Sequence, residues 1–203
     1  MIKSKKDLRY YMECDKIALR ISEKQKRPRI LIDKIWKYEI LLRKYEYYLN
    51  TSKSSIVKKI LKNIYKLRFI LLGDKLTIKL EPNVFGAGLS IAHYGSIIVN
   101  PNCKVGKNCR IQSGVVIGAT NGNKKCPTIG DNCYIGTGAK IVGDIELKDS
   151  IAIGANAVVT KSFDASNVTL GGIPAKIISN NDSSMHLVKA TEIVDARKCG
   201  KNE

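Results

Sequence analysis

An aliphatic residue falls on every sixth position of the second half of the chain: Val99, Val105, Ile111, Ile117, Ile129, Ile135, Ile141, Leu147, Ile153 and Val159. Asn123 alone interrupts the series, inside the loop of residues 119–127, and the register then resumes unchanged. A helix repeats at about 3.6 residues and a strand at about 2, so neither produces a strict period of six. A prism does. Each hexad forms one short face with its aliphatic residue inward, and three faces close one triangular coil. Glycine often follows the aliphatic residue (Gly106, Gly118, Gly130, Gly136, Gly154), which predicts corners with dihedrals that favour glycine. Two positions before it stand small or compact side chains (Cys103, Cys109, Pro127, Cys133, Ala139, Ala157), so three of the cysteines read as apolar fillers.

Residues 1–72 carry a different period. Ser4 and Asp7 have the spacing of a capping box, and Pro28 with the basic stretch before it separates a first helix from a second. Leu31, Ile35, Tyr38, Leu42, Tyr45 and Leu49 then form an apolar stripe at helical spacing. After a polar break at residues 50–55, Val57, Ile60, Ile64, Leu67 and Leu71 repeat it, and Gly73 is expected to stop the third helix. Whether the two stripes pack within one chain or between copies stays open. The aromatic residues here, at helical spacing, read as helix contacts rather than a base-stacking platform. Residues 74–98 lead into the repeats, and residues 179–203 read as a polar, loosely attached tail in which His186 is a surface residue.

Composition narrows the function. The net charge is +17, and residues 1–72 hold 20 Lys+Arg against 7 Asp+Glu. Acidic residues are interspersed and no long basic run appears, which favours a solvated face over a nucleic-acid site; the charge permits a membrane surface without arguing for one. No stretch approaches the ~20 apolar residues of a membrane span, and the N-terminus lacks the apolar run of a signal peptide, so a cytoplasmic location is expected. The six cysteines contain no C-x-x-C pair and no zinc-type spacing with the two histidines; free thiols and no metal are expected. There is no Walker-type or dinucleotide-binding glycine motif.

One histidine, His93, lies in Gly88-Leu-Ser-Ile-Ala-His93-Tyr-Gly-Ser-Ile-Ile-Val-Asn100. This segment, the Gly118-Ala119-Thr120 turn with its loop, Cys126-Pro-Thr-Ile-Gly130, Ile135-Gly-Thr-Gly-Ala-Lys-Ile141, Ile153-Gly-Ala-Asn-Ala-Val-Val159 and Gly172-Ile-Pro-Ala-Lys176 follow one another in order. Together they resemble the left-handed parallel β-helix acyltransferases, in the serine acetyltransferase-like branch that includes exopolysaccharide O-acetyltransferases. The resemblance covers about residues 76–178, and the helical front half is similar to that branch's assembly domain. It implies a mainly β fold: an α-helical domain at 1–73, a left-handed β-helix at 74–178 and a tail at 179–203.

It further implies acetyl transfer from acetyl-CoA to a hydroxyl, in a homotrimer or a dimer of trimers, with no metal. His93 is then the general base, and the resemblance places the oxyanion turn at Gly118 and Ala119. Gly136, Thr137, Gly138, Ala155 and Lys176, with Lys161, would line the CoA groove. Asn100, Lys125 and Cys126 fall at acceptor positions. The chain departs from serine acetyltransferases in carrying Ala92 where an acid precedes the histidine, and Lys125-Cys126 where an Arg-His pair stands. Glu81 is the only acid near the position of the family's other catalytic carboxylate, and the expectation is that it orients His93. Loss of the charged partners points to a neutral acceptor, a sugar or surface polysaccharide precursor; L-serine is the alternative, and a non-catalytic scaffold the third reading.

Overall fold

A computed structural model describes residues 1–52, 55–120, 122 and 124–199. Asn123, where the aliphatic series breaks, and two residues of the 50–55 polar break lie outside the described residues. Helices α1 (Lys5–Ala18), α2 (Lys34–Thr51) and α3 (Ile56–Leu76) precede a three-faced coil, and α4 (Ala190–Cys199) follows it.

Face 1 stacks the strands Ile78–Lys79, Ile97–Val99, Val116–Gly118, Lys140–Val142 and Val158–Val159, all parallel. Face 2 stacks Lys104–Val105, Thr128–Ile129 and Glu146–Leu147, extended by single bridges at Phe85 and Phe163. Face 3 stacks Ser90–Ile91, Arg110–Ile111, Tyr134–Ile135, Ala152–Ile153 and Thr169–Gly171, closed by the antiparallel Lys176–Ser179. Paired residues are 18 apart in a regular coil (Ile98 with Val116, Lys140 with Val158) and 24 apart where the loop intervenes (Val116 with Lys140). All ten aliphatic residues of the hexad series point inward, none more than 5 % exposed. Cys103, Cys109 and Cys133 are buried beside them, and burial pushes the thiols of Cys103 and Cys133 up to about 12, so they serve as filler and not as nucleophiles.

The glycines after the aliphatic residue have another cause than the one expected. None of Gly106, Gly118, Gly130, Gly136 and Gly154 has positive φ. The left-handed residue comes two positions later and is most often asparagine (Asn108, Asn132, Asn156), whose short amide tolerates that region. Gly106, Gly130 and Gly136 are small because the next coil lies against them. A Cβ on Gly106 would sit 2.6 Å from the carbonyl carbon of Gly130, and one on Gly136 would sit 2.6 Å from the Ile153 oxygen. Gly118 is the exception, its nearest neighbour being the Asn100 Cβ at 3.7 Å.

The helices correct the expectations for Leu31, Gly73 and the tail. The capping box of Ser4 and Asp7 is present. The α2 stripe (Tyr38, Leu42, Tyr45) is buried against the coil, but Leu31 lies before the helix and is exposed. Gly73 does not end α3. It lies within the helix because a Cβ there would meet the Ile78 oxygen at 2.7 Å, and Thr77 provides the left-handed cap. The α3 stripe of Val57, Ile60, Ile64, Leu67 and Leu71 faces solvent; the helix packs through Tyr65, Phe69, Leu72 and Leu76, with Phe69 stacked on Tyr38 at 4.7 Å. The tail is not loose. Ala190 and Val194 of α4 are buried with Cys14, Ala18 and Ala87, and Thr191 exchanges two hydrogen bonds with Asn108. His186 is exposed as expected, though stacked on Tyr134.

Candidate functional site

The first coil of a β-helix has no preceding coil to satisfy its backbone, so its amides and carbonyls need partners from elsewhere. Helices α1 and α2 supply them. Asp15 Oδ1 accepts from the amides of Gly88 and Leu89, both at 2.9 Å; Glu39 Oε1 accepts from Ile91 at 3.0 Å; and Glu46 Oε1 accepts from Asn83 at 2.7 Å. Arg43 donates to the carbonyls of Phe85 (3.0 Å) and Gly86 (2.7 Å), and binds Asp15 (2.7 Å) and Glu46 (3.0 Å). Burial works against the Arg43 charge, yet Asp15 and Glu46 hold its pKa above the ordinary value. Burial raises Asp15 and pushes Glu39 well above the usual carboxylate range, and the other Glu39 oxygen has no hydrogen-bond partner among the described residues. Sequence reasoning missed this set. The available signal was three charged residues, 39, 43 and 46, at the same helical spacing as the buried face of α2.

That scaffold ends two residues before His93. Ile91 pairs with Ile111 and Ile98 with Val116, so six residues lie between 91 and 98 where four lie between 111 and 116. The two extra residues at this corner push His93 and Tyr94 outward, and both are exposed. Ala92 lines a small cavity of about 190 Å³ with Trp36, Ile91 and Tyr94. The one carboxylate lining it, Asp33, is held by Arg29 and Gln25, and Arg29 keeps it far below the ordinary aspartate range.

The expected site residues divide between two edges of the prism. The edge joining faces 3 and 1 carries His93, then Gly136, Thr137 and Gly138, then Ala155, and finally Lys176 beyond the last turn. Thr137, Ala155 and Lys176 are exposed there. Lys140, unforeseen from the sequence, ties this edge together by donating to the Gly114 and Gly138 carbonyls at 2.6 and 2.9 Å. Part of the edge's smallness is structural: a Cβ on Gly136 would strike the coil above, and Gly138 has φ +73°.

The edge joining faces 1 and 2 carries Glu81, Asn100, Gly118 and Ala119, the loop with Lys125 and Cys126, and Lys161. Glu81 is therefore not beside His93. It lines a cavity against α3, and among the described residues no hydrogen bond joins the two, which for a single chain corrects the expectation that Glu81 orients the histidine. Lys161 sits over the Phe163 ring on this edge, not with Lys176. Asn100 accepts from the Asn102 amide, Lys125 pairs with Asp144 at 2.7 Å, and Cys126 is partly buried against the core next to Cys103. At ~3.3 Å per residue a face of five to six residues is ~16–20 Å wide, so the two edges of one chain lie too far apart to act on one atom. Among the described residues no three His, Cys, Asp or Glu side chains gather as a metal site.

No family model matches the chain. It is 37 % identical over 103 residues to the serine acetyltransferase of Mycobacterium tuberculosis H37Rv, covering 50 % of this chain and 44 % of that protein. It is 36 % identical over 107 residues to the serine acetyltransferase of Staphylococcus aureus Mu50, covering 51 % and 50 %. The chain thus spans about half the length of the curated relatives it matches. The solved structure of serine acetyltransferase from Brucella abortus in complex with coenzyme A superposes with a TM-score of 0.64 at 25 % identity, over 86 % of this chain and 67 % of that one. The chain is thus similar to serine acetyltransferases in sequence over half its length and in fold over most of it, and is built as a hexapeptide-repeat left-handed parallel β-helix.

Proposed function

We propose that the protein is an O-acetyltransferase that uses acetyl-CoA, with L-serine as the acceptor the comparisons favour. The expected sugar or polysaccharide acceptor finds no support among the relatives named above, which are serine acetyltransferases. One observation carries the reading: the chain presents an outward histidine on one prism edge and an open glycine turn on the next. His93 would take the proton of the acceptor hydroxyl as its oxygen attacks the thioester carbonyl. The backbone amides at Gly118 and Ala119 would hold the oxyanion, and His93 would return the proton to the departing thiolate. The fit to a thioester substrate rests on Gly118, whose small size the chain's own packing does not require. Thr137, Ala155 and Lys176 would flank the pantetheine and phosphate groups, Lys176 as a point charge.

Because the two edges are one face apart, one chain cannot supply both sets to one carbonyl. A homotrimer in which one copy's histidine edge meets the next copy's glycine edge would complete three sites. The outward side of the face between them carries Ile98 (47 % exposed) and Val116, suited to burial. Thiol release from acetyl-CoA with serine should fall by about 10²–10⁴ in His93→Ala. Co-assembly of His93→Ala with Gly118→Trp chains, each inactive alone, should restore about a quarter of the sites; no restoration would refute sites shared between copies. A neutral hydroxyl acceptor is the second reading, favoured by Ala92 in place of an acid beside His93. Release with a panel of neutral sugars and none with serine would establish it in place of the first.

A further inference from the structure

Among the described residues, helix α3 leaves one face without a partner. Ile56, Val57, Ile60, Ile64, Leu67 and Leu71 lie between 45 and 76 % exposed, on one side of a 21-residue helix about 30 Å long. At 100° per residue, Lys59 and Lys66 border this stripe on one side, and Arg68 and Lys75 on the other. Six of the helix's residues are Lys or Arg, and Asp74 is its only acid. Beyond Arg68 the surface continues into a groove of about 530 Å³ whose charged lining is Lys26, Arg27, Lys37, Lys44 and Arg68, with no acid. The exposed Ile30 lies at its rim.

We infer that α3 lies along an anionic phospholipid surface, its apolar stripe in the headgroup boundary and the flanking lysines and arginines on the phosphates. An apolar stripe bordered by cations on both sides is the signature of a helix lying in a membrane interface. Among the described residues no helix is long and apolar enough to cross a membrane, so the contact is peripheral. Charge decides against the obvious rival occupant, a second copy of the same helix. Stripe-to-stripe pairing would bring Lys59, Lys66, Arg68 and Lys75 of both copies together, with Asp74 as the only acid of α3 to offset them. Lipid phosphates offset every one of these charges. The groove beside Arg68, lined by five cations, has the charge to receive a headgroup phosphate. The inference is independent of which acceptor the enzyme uses, and would place that acceptor's modification at a bilayer surface.

The test is co-sedimentation of the full chain with vesicles of phosphatidylcholine alone, or mixed with phosphatidylglycerol, at low and physiological salt. Binding should require phosphatidylglycerol and weaken with salt, since each basic residue near an anionic surface contributes about fivefold to partition. The double variants Ile64→Gln/Leu67→Gln and Lys59→Glu/Lys66→Glu should each lower partition about tenfold or more, with melting temperature, sedimentation coefficient and thiol release in solution unchanged. Binding that ignores lipid charge, or its absence, would overturn the inference. So would a smaller assembly in the Ile64→Gln/Leu67→Gln variant, which would assign the stripe to contact between copies.

Discussion

Replacing Arg43 by Met should unfasten the helical half from the coil that carries His93. Arg43 is fully buried, and its guanidinium makes five hydrogen bonds: two to Asp15, one to Glu46 and one each to the Phe85 and Gly86 carbonyls. Met preserves the apolar stem, so the loss isolates the charge and its bonds. Asp15 would keep only the Gly88 and Leu89 amides, as a buried carboxylate without a counter-charge. Breaking a buried pair from one side costs about 3–5 kcal/mol, a large share of a typical stability of about 5–15 kcal/mol. Urea unfolding followed by circular dichroism measures it, and amide exchange should accelerate first at Gly88, Leu89 and Ile91. The deficit should shrink in acid. In the variant the folded-state pKa of Asp15 lies further above its unfolded value, so its contribution is present at low pH and lost as pH rises through the folded pKa. Asp15→Asn added to Arg43→Met should recover part of the loss, because no uncompensated charge remains. A loss under about 1 kcal/mol for Arg43→Met, or strict additivity in the double variant, would refute the reasoning.

Glu39→Gln should be nearly neutral in stability and should flatten the pH profile. Burial and Asp15 raise the folded Glu39 pKa well above 4.5, so wild type loses stability as pH rises through that value while the glutamine does not; parallel thermal melts across pH test this. Gly118→Ala should leave the melting temperature unchanged and cut thiol release, whereas Gly106→Ala should cost about 1–3 kcal/mol in urea because its Cβ meets the coil above. Equal destabilisation by the two alanines would contradict the distinction. Val194→Asp, burying a charge between α4 and α1, should cost about 3 kcal/mol by the same assay; tolerance would mean the tail is only loosely held.

Several of these features were open to reading in the chain itself. The hexad series fixes the coil, because inward aliphatic residues must recur at the length of one face, and all ten are buried. The capping box is local chemistry between residues three apart, and it forms as expected. His93 and Gly118 could be singled out from their segments. Other features depend on neighbours far along the chain, and there the sequence misleads. Gly106 and Gly136 look like left-handed corners, yet their size is dictated by a coil 18 to 24 residues later. The sequence leaves open whether the α3 stripe packs within the chain or between copies; in the fold it faces solvent, because Phe69 and Tyr65 on the other side of the helix stack on Tyr38 and Tyr48 of α2. Charged residues of α1 and α2 look solvated, yet the unpaired backbone of the first coil draws Asp15, Glu39 and Arg43 inward.

The period of the aliphatic residues by itself determined the prism, its inward residues and the outward loop, since those follow from backbone geometry repeated at one spacing. Only the tertiary structure decided which edge each candidate residue occupies. Glu81 and His93 are twelve residues apart in sequence and stand on different edges, because each face change turns the chain to a new corner. Stacking of distant coils brings His93 into line with Gly138 and Lys176, and parts it from Gly118 by the width of a face.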